Sequence, residues 1–209
     1  SGGKDSAYVA HELKTKYGMN PISVTWSPLK YTDIGLKNLN AFNDSGFDII
    51  MGMPRGDIKK KMTREALIEM GDPFQGFIYG QVLFPVTIAL NYGIRLIFRG
   101  ENAEAEYGGK QESWDKKLLT LQEFQNVYFS NYSLDFWLQK GFTKRDLAFF
   151  IHQMHRALKE NSVIHIFMDI LGIGLIIVII TMHQKILVSL RMKEELREHI
   201  QNIHLLMIN

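Results

Sequence analysis

The chain has 209 residues, of which 46% are hydrophobic and 22% are charged, with a formal net charge of +2 and no cysteine. This length is enough for one hydrophobic core, or for one core and a small appendage, in an ordinary globular protein. The lack of cysteine excludes disulfides and thiolate zinc sites, and the small net charge gives no general basis for nucleic-acid binding. We therefore expect a cytoplasmic protein.

The chain opens on a glycine turn that leads directly into a helical pattern ending at Gly18. Glycines allow the backbone to approach a ligand closely, and a helix N-terminus directs N–H groups and a positive dipole end at an anion. A lysine adds positive charge, and the GxxxxGK[ST] phosphate-binding pattern is absent. The turn predicts an anion site formed by Ser1, Gly2, Gly3, Lys4, Asp5 and Ser6.

Strand patterns then alternate with helix patterns. Strands are predicted at 22–26, 47–51 and 94–98, and helices at 34–45, at 57–70 with Asp57 as the cap, and at 80–91 with Pro85 as a kink or a start. In the predicted helices 34–45 and 57–70, the residues expected to point inward are Leu36, Leu39, Phe42, Met62, Ala66, Leu67 and Met70. This alternation predicts an α/β fold with a parallel sheet and flanking helices, with the first turn and the loop from Gly100 meeting at one crevice. Further helices are predicted at 118–129 and at 142–158, the second capped by Thr143.

Three carboxylates follow the third strand, in the segment Gly-Glu-Asn-Ala-Glu-Ala-Glu-Tyr-Gly-Gly. Glu101, Glu104 and Glu106 could hold Mg²⁺ or bind an amine, and a solvated acidic loop is the alternative. The basic run 59–61 is interpreted as a solvated helix face, and His152 and His155 as surface or packing residues.

The first six residues resemble the PP-loop of the ATP pyrophosphatase superfamily, whose members are adenine-nucleotide alpha-hydrolase-like. That resemblance implies a Rossmann-like fold of the HUP type and cleavage of ATP between its α and β phosphates. Because this motif normally follows a buried strand, we expect the first strand of the sheet to be missing from the sequence.

A closer resemblance covers residues 1–167. The segments Gly-Met-Pro-Arg-Gly, Gly-Asp-Pro-Phe-Gln, Tyr-Gly-Gln and the acidic segment from Gly100 are similar to N-acetyl sugar amidotransferases of surface-polysaccharide (lipopolysaccharide and O-antigen) biosynthesis. This resemblance implies that ATP and Mg²⁺ activate the acetamido oxygen of a nucleotide-linked N-acetyl sugar and that ammonia then gives an acetamidino group. It implies, as partners, a glutaminase and a barrel-shaped synthase subunit resembling the histidine-pathway pair.

The same resemblance implies the roles of individual residues. Residues 1–6 would bind ATP, and catalysis would rest on Lys4, Asp5 and Glu101. Metal would be held by Glu101, Glu104 and Glu106. We expect an ATP-binding α/β domain at 1–110 and a mainly helical extension at 111–167.

Residues 163–181 are nearly uncharged and long enough for a membrane-spanning helix, although Asp169 would be costly in lipid. We favour a different hypothesis, in which the reading frame shifts near Phe167 and residues 168–209 are an out-of-frame tail. The shifted frame permits Gly-Tyr and later Glu-Asn-Thr-Gly-Phe, as in the resembled family. Two alternatives stay open: another PP-loop enzyme, such as a tRNA-modifying or amide-forming ligase, and a membrane-anchored protein without catalysis.

Overall fold

The protein is built on a six-stranded sheet with helices packed against it. The computed structural model describes residues 3–94, 96–100, 118–119, 134–151, 164–167, 177–181, 184–188 and 205–208. The helices are α1 (Lys4–Thr15), α2 (Asp33–Asp44), α3 (Gly56–Met70), α4 (Gln75–Tyr92), α5 (Leu134–Gln139) and α6 (Lys144–Ile151). The strands are β1 (Pro21–Trp26), β2 (Ile49–Gly52), β3 (Leu96–Arg99), β4 (Leu118–Leu119), β5 (Ile164–Phe167), β6 (Ile177–Thr181), β7 (Gln184–Val188) and β8 (Leu205–Ile208).

The strand order in the sheet is β2-β1-β8-β3-β5-β4. All neighbouring pairs are parallel except β4 and β5, while β6 and β7 form a separate antiparallel pair. The predicted mixed α/β class, with parallel strands and flanking helices, is confirmed at this level. The central place of β8, between β1 and β3, was not predicted.

The sheet carries a helical layer on each face. Helices α1 and α4 both pack against β1, β3 and β8. Ile97 belongs to the large core that also contains α4 residues, whereas Phe98 is fully buried outside that core. Since successive strand side chains point to opposite faces, α4 and α1 cover opposite sides of the sheet. The larger core lies on the α4 side, where α3, α5 and α6 also contribute.

Helix α4 begins at Gln75, five residues earlier than predicted, and continues through Pro85. The Asp72 carboxylate accepts a hydrogen bond from the Phe74 amide at 2.8 Å, which stabilises the turn before the helix. Proline removes one helical hydrogen bond, but α4 is apolar on all sides and is buried along most of its length. Tertiary packing therefore outweighs the local cost of the proline.

Two predicted helix faces are partly wrong. Leu36 is 47% exposed and Leu67 is 54% exposed, although both were expected to point inward. On α3 the buried row is Ile58, Met62 and Ala66, spaced four residues apart along one face. Asp57 does not cap α3: it lies within the first turn and pairs with Arg55.

The remaining differences concern strand bounds and the second half of the chain. Ile94 lies just beyond α4, where its amide donates to the Ala89 carbonyl, and β3 starts at Leu96, two residues later than predicted. The helix predicted from residue 118 is wrong at its first two residues, which form β4. Within the apolar run 163–181, residues 164–167 and 177–181 are strands, and the rest of that run lies outside the described residues.

The predicted cap of α6 is confirmed. The Thr143 hydroxyl accepts from the Asp146 amide at 3.2 Å, while the Asp146 carboxylate accepts from the Thr143 amide and hydroxyl at 3.0 and 2.7 Å. Those bonds, together with the nearby Arg55 guanidinium, hold the pKa of Asp146 below its usual value. Because the folded-state pKa is lowered, this contribution to stability is complete above the unfolded carboxyl pKa and is lost as pH falls through the folded pKa.

We expect Thr143→Ala to lower the free energy of unfolding by about 1 kcal/mol, the usual effect of losing a threonine cap. Urea unfolding at neutral pH measures this loss. Thr15→Ala is the matched control: its hydroxyl donates to the His11 carbonyl within α1 and caps no helix start, and its effect should stay within about 0.5 kcal/mol. Equal effects of the two substitutions would contradict the capping role.

Candidate functional site

The N-terminus of α1 is the predicted anion site. Gly3 is its N-cap residue, with extended φ and ψ of −84° and 148°, and as a glycine it has no side chain with which to cap the helix. The Ala7 amide donates to the Gly3 carbonyl at 3.2 Å, and the Ser6 hydroxyl donates to the same oxygen at 3.3 Å. The first amides of a helix have no acceptor within the helix, so a side chain or a ligand can accept from them.

A second glycine lies against this helix end. A side chain at Gly100 would place its Cβ 2.6 Å from the Ser6 nitrogen and 2.8 Å from the Ser6 Cα. Gly100 follows β3 directly, so the carboxyl end of β3 and the first turn of α1 touch through main-chain atoms. The carboxyl end of β3 and the first turn of α1 therefore meet at Gly100, while the loop from residue 101 onwards lies outside the described residues. Only glycine fits this contact without moving the helix.

The charged residues of the first turn differ in exposure. The Lys4 ammonium lies 2.6 Å from the Asp5 carboxylate, and the two side chains are 89% and 16% exposed. An acidic residue in the first turn complements the positive end of the helix dipole. The lysine is exposed to solvent beside the helix end. The candidate site thus combines main-chain donors, an exposed cation and two glycines.

The predicted site residues divide into two groups. Gly3, Lys4, Asp5 and Ser6 lie together at the first turn of α1. The other four predicted binding or metal-ligating positions, together with Gly2, lie outside the described residues: Ser1, Glu101, Glu104 and Glu106. Over the part of the chain that the structure describes, no three His, Asp or Glu side chains gather as a metal site would require.

An aromatic cluster at the carboxyl end of β1 was not predicted from the sequence. The buried Trp26 indole has ring-centroid distances of 5.5 Å to Phe84 and 5.2 Å to Phe150. Two glycines make room for it, since a Cβ at Gly52 would lie 2.5 Å from the indole and one at Gly80 would lie 1.8 Å from it. The glycine of the Tyr-Gly-Gln segment was a signal for such a close approach.

The prediction that Lys59 lies on a solvated helix face is also wrong. Its ammonium donates to the Ser27 hydroxyl at 2.9 Å, the Pro28 carbonyl at 2.7 Å and the Ser27 carbonyl at 3.3 Å. Partial burial lowers its pKa. These three bonds tie α3 to the loop that follows β1, so Lys59 fixes that loop at the carboxyl edge of the sheet. Lys60, its neighbour, is exposed as predicted.

A shallow, solvent-open pocket with a cavity volume of about 20 Å³ lies beside Lys59. Its back wall is Trp26, Met62 and Phe150, and Leu29 and Phe77 also line it. All of these residues belong to the α4 side of the sheet or to the loop after β1. The pocket therefore lies at the same edge as the α1 site, but on the opposite face of the sheet.

The fold and the site define a mixed α/β protein with a glycine-lined helix N-terminus at the carboxyl edge of parallel strands. No protein-family model matches the chain, and a search of curated proteins found no match. Among the described residues, no helix is long and apolar enough to cross a membrane.

Proposed function

We propose that this chain carries the PP-loop ATP site of an amidotransferase acting on nucleotide-linked N-acetyl sugars. The fold would be of the HUP type, with the α1 N-terminus receiving the ATP phosphates. One observation carries the proposal: Gly100, at the end of β3, lies against the backbone of Asp5 and Ser6, at a helix N-terminus whose N-cap residue is a glycine. Such a place suits a polyphosphate, because main-chain donors can approach it closely.

The proposed reaction has two steps. The acetamido oxygen attacks the α phosphorus of ATP, pyrophosphate leaves, and an O-adenylated imidate remains. Ammonia then adds to the imidate carbon, a proton is lost, and AMP departs with the former acetamido oxygen, which leaves an acetamidino group. The work of the protein is positioning and electrostatic stabilisation of the departing pyrophosphate.

Residues at the α1 end would share this work. The exposed Lys4 would stabilise the charge that develops on pyrophosphate, and the amides of the first turn would bind its oxygens. Asp5 would orient Lys4 through the ion pair already present. Glu101, Glu104 and Glu106 would hold Mg²⁺, a cation that prefers oxygen ligands.

The proposed partners follow from the source of ammonia. A glutaminase with a barrel-shaped synthase subunit would deliver it, and the acceptor would be a nucleotide-linked N-acetyl sugar. The proposed location is the cytoplasm, where ATP and nucleotide sugars are made, with no role for nucleic acid or a membrane.

An oxygen-labelled substrate tests the reaction. The full chain is incubated with ATP, Mg²⁺, ammonium and UDP- or CMP-linked sugars whose acetamido oxygen is ¹⁸O. We expect pyrophosphate release that depends on the sugar, with one ¹⁸O transferred to AMP. Release of ADP and phosphate, or of unlabelled AMP, would contradict the proposal, and so would the absence of any sugar-dependent turnover.

A lysine variant locates the activity. We expect Lys4→Met to lower the rate of pyrophosphate release about 100-fold, which is within the range found for losing one stabilising group. Lys37→Met, at an exposed position on α2, should keep the full rate. Equal rates in the two variants would show that the ATP phosphates do not bind at the α1 end.

A further inference from the structure

The centre of the sheet is filled from the far end of the chain. Residues 205–208 pair in parallel with residues 21–24 of β1 on one side and with residues 96–99 of β3 on the other. The described elements that pack against them are β1, β3, α1 and α4, all of which lie between residues 4 and 99. The first half of the chain thus forms a strand-wide gap, which we call the central strand position.

This position selects for an uncharged, extended segment. Helices α1 and α4 cover its two faces, so a strand inside it meets protein on both sides. Parallel strands buried on both faces are continuous apolar runs, and Leu-Leu-Met-Ile is such a run. The open edges of β1 and β3 would otherwise leave main-chain N–H and C=O groups without sheet partners in a buried place, which is costly.

Recognition here is mainly through the main chain. An added strand gains its affinity from ladder hydrogen bonds on its edges, and side chains contribute by filling the layers above and below. Such binding tolerates exchange between apolar side chains of similar size, but it does not tolerate proline or a charge.

We propose that the central strand position is a binding site for a short apolar segment in parallel orientation, and that residues 205–208 are its resident occupant. The segment is held as a ligand would be, so a separate peptide of the same chemistry binds there when the resident strand is disabled. This inference rests on the sheet alone and does not depend on the nucleotide proposal.

The test is hydrogen exchange on the full chain. Leu206→Pro removes one ladder donor and should lower the protection of amides in β1 and β3 at least tenfold. A ten-residue peptide with the sequence of residues 200–209, added in excess, should restore that protection, and the same peptide carrying proline at the Leu206 position should not. Unchanged protection in the variant overturns the proposal, and so does a loss that the peptide fails to reverse.

A second variant tests recognition without a substitution that could prevent folding. The combined change Leu205→Ile, Leu206→Val, Met207→Ile and Ile208→Val keeps an apolar strand, and we expect wild-type protection of the amides in β1 and β3. Loss of protection in this variant would overturn recognition through the main chain. Sedimentation of the wild-type chain gives a further outcome: a dimer that exchanges this strand between copies would overturn the assignment of the site to each chain's own segment.

Discussion

Among the glycines that the structure describes, Gly80→Ala should be the most destabilising single substitution. The new methyl group would lie 1.8 Å from Trp26 Cε2 and 2.3 Å from Trp26 Nε1, so either the indole or α4 must move. Neither has room, because the indole is buried against Phe84 and Phe150, and Gly52 approaches its other edge. We expect a loss of about 3 kcal/mol in the free energy of unfolding, at the upper end for overpacked cores.

The measurement is urea unfolding followed by circular dichroism. Gly56→Ala is the matched control, since it also introduces alanine near a helix start, and nothing lies within 4 Å of the added Cβ. It should be neutral or stabilising by up to about 1 kcal/mol.

A double variant separates the clash from a general helix effect. If the indole is the obstacle, adding Trp26→Leu to Gly80→Ala should cost less than the sum of the two single losses. Additive losses would mean that the clash with Trp26 is not the cause.

Gly100→Ala should affect function more than stability. The added methyl group would lie 2.6 Å from the Ser6 nitrogen and 2.9 Å from the Asp5 carbonyl carbon, and main-chain atoms cannot rotate away. The first turn of α1 must therefore shift relative to the end of β3. Since displacement of a binding element by an ångström can cost on the order of 100-fold in rate, we expect a comparable loss of the proposed pyrophosphate release.

The test combines the labelled-sugar assay with urea unfolding of the same samples. Gly56→Ala again serves as the control and should keep full activity. A Gly100→Ala protein that unfolds near the wild-type urea concentration but has lost turnover is the expected result. Full turnover would mean that the contact between β3 and α1 is not part of the catalytic site.

Much of the local structure followed from the order of residues. Gly18 was predicted to end the first helical pattern, and Gly46 and Gly71 directly follow the predicted helices at 34–45 and 57–70. All three have positive φ values, which glycine adopts without strain. The Thr143 cap and the alternation of strands and helices were equally local signals. These features depend on neighbours within a few positions, so a single sequence contains the information needed to predict them.

The wrong predictions concern features that depend on contacts between distant parts of the chain. Pro85 remains inside α4 because surrounding helices bury it, and Lys59 is held by a loop about thirty residues earlier in the chain. Leu36 and Leu67 are apolar but exposed, since the position of each helix on the sheet determines which face is covered. The spacing of apolar residues along a helix does not predict where that helix lies on the sheet.

The candidate site shows the same division. The glycine turn, Lys4 and the helix after them were predicted as a candidate anion site from six adjacent residues. The contact of Gly100 with Ser6, the room that Gly80 leaves for Trp26 and the entry of residues 205–208 between β1 and β3 required the tertiary structure. Each of these three contacts joins residues that are far apart in sequence. Such contacts depend on burial and main-chain pairing, which are present only once the whole sheet has formed.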